Sequence, residues 1–269
     1  MVVACRWSRQ YGRPVQPAEV DAQPVAPAYD AACVTALVPA LLHGDLVPGG
    51  WPSWLPGEVL GSRRILLLVL DGLGWEQLRS RPAIAPNLAA LAGGPITTVA
   101  PSTTAAALTS IATGVAPGLH GVVGYRIAVG APEGAAHAEV LNALRWTTGD
   151  GDARRRHDPR EFQPCELFEA QWPPVVTREA FAESGFTAVH LSDTRLMGYR
   201  DRDGLVSRVL EAFDGGEPFV YAYWDDIDRT AHEFGLADRY EEELAACDAM
   251  VAELAARLPA GTAIVVTAD

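Results

Sequence analysis

Lysine is absent from this chain of 269 residues, and positive charge is scarce altogether. The 21 basic residues are all arginine and are outnumbered by 34 acidic residues, so the formal net charge is −13 at pH 7. Such an excess of negative charge repels the phosphate backbone of nucleic acids. We therefore expect no extended nucleic-acid partner.

Cysteine and long apolar runs are also scarce. Cys5, Cys33, Cys165 and Cys247 are far apart and form no CxxC pair, which favours free thiols over disulfides or a cysteine-bound metal. The apolar run Ile65–Leu70 is far shorter than the roughly 20 residues that cross a bilayer. The N-terminus has no apolar segment after a basic start, so we expect a cytoplasmic protein without a membrane partner.

Strand-like and helix-like segments alternate along most of the chain after residue 60. The segments Ile65–Leu70, Phe219–Trp224 and Ala263–Thr267 are apolar, as strands buried on both faces of a parallel sheet are. Between the first two, the pattern predicts a helix over Thr177–Ser184 and a strand over Phe186–Leu191. The alternation predicts an α/β fold, with a mostly parallel sheet and helices on both faces.

Two stretches depart from this alternation. Residues 1–60 are rich in proline and alanine, with one predicted helix over Ala31–Leu42, and are predicted to be an N-terminal extension that wraps the surface. Residues 61–269 are the predicted catalytic core. Within that core, residues 121–174 have no regular pattern, which is typical of an insertion or a lid.

Aspartates follow three of the predicted strands. Asp71 follows the first, Asp225, Asp226 and Asp228 follow the second, and Asp269 follows the last. Ligands of open α/β sheets bind at the carboxyl ends of the strands. Carboxylates that converge there repel one another unless a cation or a shared proton relieves them. The sequence therefore favours a divalent metal site, and the alternative is that each aspartate caps its own loop.

Asp228 and His232 are four residues apart, so both can lie on one face of a helix. A carboxylate with an imidazole suits zinc or a similar transition metal better than magnesium. The alternative is that Asp228 caps this helix and His232 is an ordinary surface residue. Asp225 and Asp226 are weaker candidates, as caps or as groups that support the ligands.

Thr103 and Thr104 stand before a predicted helix that runs to Thr113 and ends at Gly114. Serine and threonine favour helix N-termini because the side-chain oxygen accepts a bond from a free backbone N–H group. The same position attracts anions such as phosphate. The threonine pair is therefore a candidate phosphate-binding position, and a plain helix cap is the alternative.

These motifs, taken in order, resemble the alkaline phosphatase superfamily and specifically its nucleotide pyrophosphatase/phosphodiesterase branch. That family has a strand ending in Asp-Gly, a threonine nucleophile segment followed by Thr-Gly, Pro and His-Gly, and then D-x-x-G-H-x-x-G and a second strand ending in aspartate. The matching positions here are Asp71-Gly72, Pro101, Thr104, Thr113-Gly114, Pro117, His120-Gly121, Asp228, His232, Gly235 and Thr267-Ala268-Asp269.

The resemblance implies a metal-dependent hydrolase of phosphodiester or pyrophosphate bonds, with Thr104 as the nucleophile. It implies one metal ion at Asp71, Thr104 and Asp269 and a second at Asp228 and His232. Zinc is the expected metal, with manganese as the alternative, and the expected substrate is a small phosphorylated molecule such as a nucleotide.

The chain also departs from the family pattern. Ala107 stands where the family has an asparagine that helps to hold the phosphoryl oxygen, and Ala231 replaces a usual glycine. The family continues with His-Gly after the position of Asp269 and later supplies another histidine. We therefore expect a C-terminally truncated alkaline phosphatase-like core that binds metal weakly and turns over little.

Two other functions remain open at this point. One is a phosphomonoesterase or a phosphonate hydrolase of the same superfamily. The other is a non-catalytic binding module with a degenerate site, which the loss of the family asparagine at Ala107 suggests.

Overall fold

The computed structural model describes the backbone of residues 2–5 and all of residues 25–43, 51–130 and 138–269. In the described residues the strands are β1 (Val2–Cys5), β2 (Arg64–Leu70), β3 (Ala92–Gly94), β4 (Arg126–Val129), β5 (Glu139–Asn142), β6 (Thr147–Thr148), β7 (Gly151–Asp152), β8 (Pro174–Arg178), β9 (Arg195–Tyr199), β10 (Phe219–Trp224) and β11 (Thr262–Thr267). The helices are α1 (Leu37–His43), α2 (Trp75–Arg79), α3 (Pro86–Ala89), α4 (Thr104–Thr113), α5 (Pro117–His120), α6 (Pro159–Phe162), α7 (Gly185–His190), α8 (Arg202–Asp214), α9 (Asp226–Phe234) and α10 (Asp238–Arg257).

The main sheet has seven strands in the order β3-β1-β11-β2-β10-β8-β9. The five strands from β11 to β9 are parallel, whereas β1 runs antiparallel to both of its neighbours. Leu67 in the central strand is level with Tyr221 of β10 and Val265 of β11. This register brings the carboxyl ends of β2, β10 and β11 to one edge of the sheet.

Both faces of the sheet are covered by a separate hydrophobic core. Alternate residues of β2 enter opposite cores, with Leu67 and Val69 on one face and Leu66 and Leu68 on the other. The first face packs against α1, α4 and α7, and the second against α8 and α10. The predicted α/β fold, with a mostly parallel sheet and helices on both faces, is confirmed.

The predicted order of helix and strand between residues 174 and 199 is wrong. The segment predicted as a helix from Thr177 instead belongs to strand β8 and a short 3-10 helix, Glu179–Phe181. The segment predicted as a strand from Phe186 is helix α7, because the Ser184 hydroxyl caps it by accepting a bond from the N–H group of Thr187 at 3.0 Å. The strand at this edge of the sheet is instead β9, which follows α7 in the chain.

The N-terminal segment is not confined to the surface. The backbone of β1 lies inside the sheet, and Val34, Leu37 and Leu41 are buried in the first core. The expected surface-wrapping role does not hold for these residues, although the division of the chain at residue 61 stays a prediction. The predicted helix over Ala31–Leu42 forms in part, as a 3-10 turn followed by α1.

Residues 121–174 contain more regular structure than the sequence indicated. Strands β4 to β7 form a small antiparallel sheet of their own. Trp146 anchors this region because it is fully buried and its indole N–H donates to the backbone oxygen of His157 at 2.6 Å. A lid function for this segment stays a prediction.

Within the described ranges, no helix is long and apolar enough to cross a bilayer. Cys33, Cys165 and Cys247 are free thiols, as expected, and the side chain of Cys5 lies outside the described residues.

Candidate active site

Asp71 is the most enclosed carboxylate at the carboxyl edge of the sheet. The aliphatic run of β2 delivers it there, and the strand pleat turns it to the same face as Val69. Its carboxyl group is almost entirely buried, at 3% exposure of the residue. Oδ2 accepts a hydrogen bond from the Tyr223 hydroxyl, whereas Oδ1 is buried with no hydrogen-bond partner among the described residues.

Asp269 lies beside Asp71 because β11 and β2 are parallel and in register up to the pair Thr267 and Val69. The backbone N–H group of Gly72 donates to Asp269 Oδ1 at 3.1 Å. The turn that ends β2 therefore holds the carboxylate of the neighbouring strand in place.

Asp228 completes the cluster from the first turn of helix α9. The backbone of Gly72 approaches it so closely that a Cβ atom on this glycine would lie 2.8 Å from the Cα atom of Asp228. Gly72 also has a φ of +73°, which favours glycine. The Asp-Gly dipeptide thus serves two purposes, since the aspartate supplies an oxygen donor and the glycine lets the third carboxylate approach.

We predict that Gly72→Ala destabilises the protein by about 3 kcal/mol or more. The added methyl group would press against the backbone of Asp228, which cannot move aside as a flexible side chain can. Gly61→Ala is the matched control, since Gly61 has a similar φ of +77° but nothing within 4 Å of the added methyl group. The control pays only the left-handed backbone strain of about 1 kcal/mol. Urea unfolding of both variants measures the difference, and equal losses would show that the close approach to Asp228 is unimportant.

The three carboxylates repel one another in a poorly solvated site. Burial is the largest cause that raises the pKa of Asp71, followed by the negative charge of the neighbouring Asp269. The Tyr223 hydrogen bond acts in the opposite direction. Burial likewise raises the pKa of Asp228, with a further contribution from Asp269. A cation among these groups would relieve the repulsion.

The three carboxylates are chemically suited to a divalent cation, but they are not placed to coordinate one. Asp71 Oδ1 is a buried oxygen without a partner, and carboxylate oxygens are suitable ligands. Yet among the described residues no three acidic, histidine or cysteine side chains stand close enough to hold a metal ion as they are. Binding of a cation here would therefore require some of these side chains to turn toward it.

His232 stands next to Asp228 on α9, as the four-residue spacing predicts. Its Nε2 atom is 3.5 Å from Asp228 Oδ1, and the imidazole is 82% exposed. With so little packed against it, this histidine would be free to turn toward a cation beside Asp228.

Thr104 is the first residue of α4 and is partly buried. Ala105, Ala106 and Ala107 behind it pack in the same core as Val69, so α4 covers the face of the sheet toward which Asp71 points. Among the described residues, no side chain caps the start of the helix, and none bonds to the buried Thr103 hydroxyl oxygen. In the described part of the chain, no hydrogen bond joins Thr104 to the three carboxylates.

Ala107 is completely buried within α4. A methyl group at this position has no hydrogen-bonding atom and cannot hold a phosphoryl oxygen. The structure therefore assigns this residue to packing, and any support for such an oxygen must come from other groups.

Asp225 and Asp226 differ from the other three carboxylates in being paired with an arginine. Arg178, at the end of β8, forms ion pairs with both of them, with Nε bonded to Asp225 and Nη2 at 2.5 Å from Asp226 Oδ1. The guanidinium also lies over the Trp224 ring, 4.9 Å from its centroid. Arg178 was missed in the sequence because the segment around it was predicted to be a helix.

His120, the histidine of the His-Gly motif, is buried, and its ring nitrogens lie next to Ser110 and Val122. Its Nδ1 accepts from the N–H group of Val122 at 3.1 Å, so the neutral ring carries its proton on Nε2, which is 2.8 Å from the Ser110 hydroxyl. Burial lowers its pKa to about 4. This histidine ties α5 to α4 and is a structural residue.

Comparisons with known proteins identify the family and similar folds. Residues 65–269 match the sequence model of the family described as type I phosphodiesterase / nucleotide pyrophosphatase. A comparison with curated proteins gave no match.

Two solved structures of murine ectonucleotide pyrophosphatase/phosphodiesterase 5 are similar in fold. The first, an inactive variant in complex with AMP, has a TM-score of 0.53 and 17% identity over 77% of this chain. The second is a structure of the same murine protein and has a TM-score of 0.53 and 18% identity over 77% of this chain. The chain spans 56% of the length of each of these structures.

Proposed function

Because the chain belongs to the type I phosphodiesterase / nucleotide pyrophosphatase family, we propose that the full-length protein hydrolyses phosphodiester or pyrophosphate bonds with Thr104 as its nucleophile. The observation that carries this proposal is the convergence of Asp71, Asp228 and Asp269 at one edge of the sheet, with one buried carboxylate oxygen unpaired. Neighbouring carboxylates that are not neutralised by arginine are suited to binding cations rather than to stabilising a fold.

The proposed assignment of ligands follows the cluster. Asp71 and Asp269 would hold one divalent cation beside Thr104, and Asp228 with His232 would hold the second. When bound, two such ions, zinc or manganese, supply positive charge that favours the threonine alkoxide and stabilises the leaving oxygen. The mixture of carboxylate and imidazole supports a transition metal.

Thr104 is suited to attack a phosphorus atom because it begins a helix of ten residues whose free N–H groups are not capped by a side chain. These N–H groups and the helix dipole stabilise negative charge on the phosphoryl oxygens. The hydroxyl oxygen would lose its proton and bond to phosphorus as the bond to the leaving ester oxygen breaks, and that oxygen would take up a proton. Water would then cleave the new bond between threonine and phosphorus, which releases a phosphomonoester and restores the hydroxyl. Positioning and charge stabilisation supply most of the rate in such a transfer.

The proposed substrate is a small nucleotide-like phosphoester. The support is indirect, since the murine structure with the same fold was obtained in complex with AMP. Phosphomonoesters are the alternative substrates. A non-catalytic role is the alternative that the buried Ala107 favours, because the methyl group there cannot support a transition state.

The proposal is tested with bis-p-nitrophenyl phosphate and the full-length protein. We expect hydrolysis with added zinc or manganese, loss of the activity in EDTA, and recovery when the metal is returned. Rates on p-nitrophenyl phosphate, measured in parallel, are expected to be lower. A faster monoester reaction would replace the phosphodiesterase by a phosphomonoesterase, and inactivity on both substrates in either metal would overturn the hydrolase proposal.

A further inference from the structure

Two tyrosines of β10 point to the same face of the sheet and toward the acidic cluster. Tyr221 and Tyr223 are two residues apart, and both are buried in the core that α4 covers. Their hydroxyl groups differ in one respect. Tyr223 donates to Asp71 Oδ2, whereas the Tyr221 hydroxyl is buried with no hydrogen-bond partner among the described residues.

The Tyr223 bond restricts how the Asp71 carboxylate can turn. A carboxylate with both oxygens free rotates about its terminal bond, because that torsion has a broad energy well. With Oδ2 held by a buried hydroxyl, the other oxygen is left in a defined direction. That oxygen, Oδ1, is the one that is buried without a partner.

The hydrogen bond from Tyr223 also leaves the negative charge of the Asp71 carboxylate available to a cation. A hydroxyl is a neutral donor, so it stabilises the carboxylate without bringing a positive charge that would compete with a cation. The contrast is Arg178, which pairs with Asp225 and Asp226 through a full charge. One aspartate of this edge is thus oriented by a neutral donor, while two others are paired with a cationic one.

We propose that Tyr223 is a positioning residue of the cation site: it fixes Asp71 through Oδ2 so that Oδ1 is presented to a divalent cation. This inference rests on the proposed metal-dependent function. Groups that orient a ligand from behind commonly change metal affinity by 10 to 100-fold when they are removed.

The test is a titration of the metal-free full-length protein with Mn²⁺ by isothermal calorimetry. Tyr223→Phe removes only the hydroxyl and is expected to weaken Mn²⁺ binding about 10 to 100-fold. Tyr221→Phe is the matched control, because it removes an unpaired hydroxyl from the same strand and face, and binding is expected to stay within about threefold of wild type. Far-UV circular dichroism checks that both variants are folded.

A second readout separates positioning from general loosening of the structure. The Mn²⁺ concentration that half-activates Tyr223→Phe is expected to rise, while the KM for the diester at saturating Mn²⁺ stays close to that of wild type. A variant that is damaged overall would show a changed KM as well, and this result would overturn the positioning role.

The outcomes distinguish this inference from the proposed function. Wild-type protein that binds Mn²⁺ and hydrolyses the diester, together with a Tyr223→Phe variant of unchanged affinity, overturns the role of Tyr223 alone. Equal losses in the two tyrosine variants overturn it too. Wild-type protein that binds no Mn²⁺ overturns both proposals.

Discussion

Thr104→Ala is expected to lower the turnover of bis-p-nitrophenyl phosphate by the full-length protein on the order of 10³-fold or more. The substitution removes the oxygen that is proposed to bond to phosphorus, and losses of this size are usual when a nucleophile is removed. The fold is expected to survive, because alanine is a good helix former and three alanines already follow in α4. Initial rates at saturating metal, with a thermal unfolding curve, measure both effects.

Thr103→Ala provides the control for that experiment. Thr103 is the preceding residue, carries the same functional group and has a buried hydroxyl oxygen without a partner. Loss of its hydroxyl is expected to change turnover by less than about tenfold. If the two variants were equally active, Thr104 would not be the nucleophile, and if Thr103→Ala were the inactive one, the assignment would move by one residue.

Asp71→Asn is expected to have opposite effects on metal binding and on stability. Loss of the negative charge should weaken binding of Mn²⁺ by at least about 10²-fold, since a charged ligand is replaced by a neutral amide. The metal-free variant should nevertheless be more stable than wild type by about 1 to 3 kcal/mol at pH 7. The reason is that the wild-type chain buries Asp71 beside Asp269 with one oxygen unpaired.

The stability difference between Asp71→Asn and wild type should depend on pH in a definite direction. Burial and the charge of Asp269 raise the pKa of Asp71 above its value in the unfolded chain. Asp71 therefore contributes most to stability at low pH, where it is protonated, and that contribution is lost as the pH rises. The advantage of the asparagine variant in urea unfolding should grow as the pH is raised from about 4 to 7.

Asp248→Asn is the contrasting control in the same experiment. Asp248 is also buried, but its carboxylate accepts bonds from the backbone N–H group of Leu88 at 2.8 Å and from the side chain of Asn87 at 2.6 Å. An amide in this place loses acceptor capacity, so this variant should be less stable than wild type. Destabilisation by Asp71→Asn as well would show that Asp71 is a structural residue rather than a strained ligand.

The parts of the site that lie at strand ends could be predicted from the sequence. Ile65–Leu70 and Phe219–Trp224 are continuous apolar runs, and the structure places strands there with Asp71 and Asp225 directly after them. Such runs identify strands that are buried on both faces, and the parallel arrangement then determines which edge their last residues share. The helix predicted after Thr103 and Thr104 also forms, and it runs from Thr104 to Thr113 with Gly114 as its C-cap.

The sequence did not show whether a short apolar segment is a strand or a helix. The run from Phe186 to Leu191 fits a strand by composition, yet it forms α7 because Phe186, Val189 and His190 face the interior at helical spacing. A segment of this length does not contain enough periods to separate the two structures. Only the Ser184 cap pointed to a helix.

The partners of the carboxylates could not be predicted from spacing along the chain. Tyr223 reaches Asp71 from 152 positions away, and Arg178 reaches Asp225 across 47. Both contacts arise because β10 lies between β2 and β8 in the sheet. Sequence reasoning identified the acidic residues, and the order of strands decided which of them remain available.

The pairing of Arg178 with Asp225 and Asp226 also bears on which ions the edge of the sheet would select. Five free aspartates would form a crowded oxygen-rich pocket, and pockets of that kind suit calcium, which accepts six to eight oxygen ligands. With two of them bound to one guanidinium, three carboxylates and the His232 imidazole are left. A small set of donors that includes nitrogen discriminates against the larger alkaline-earth ion.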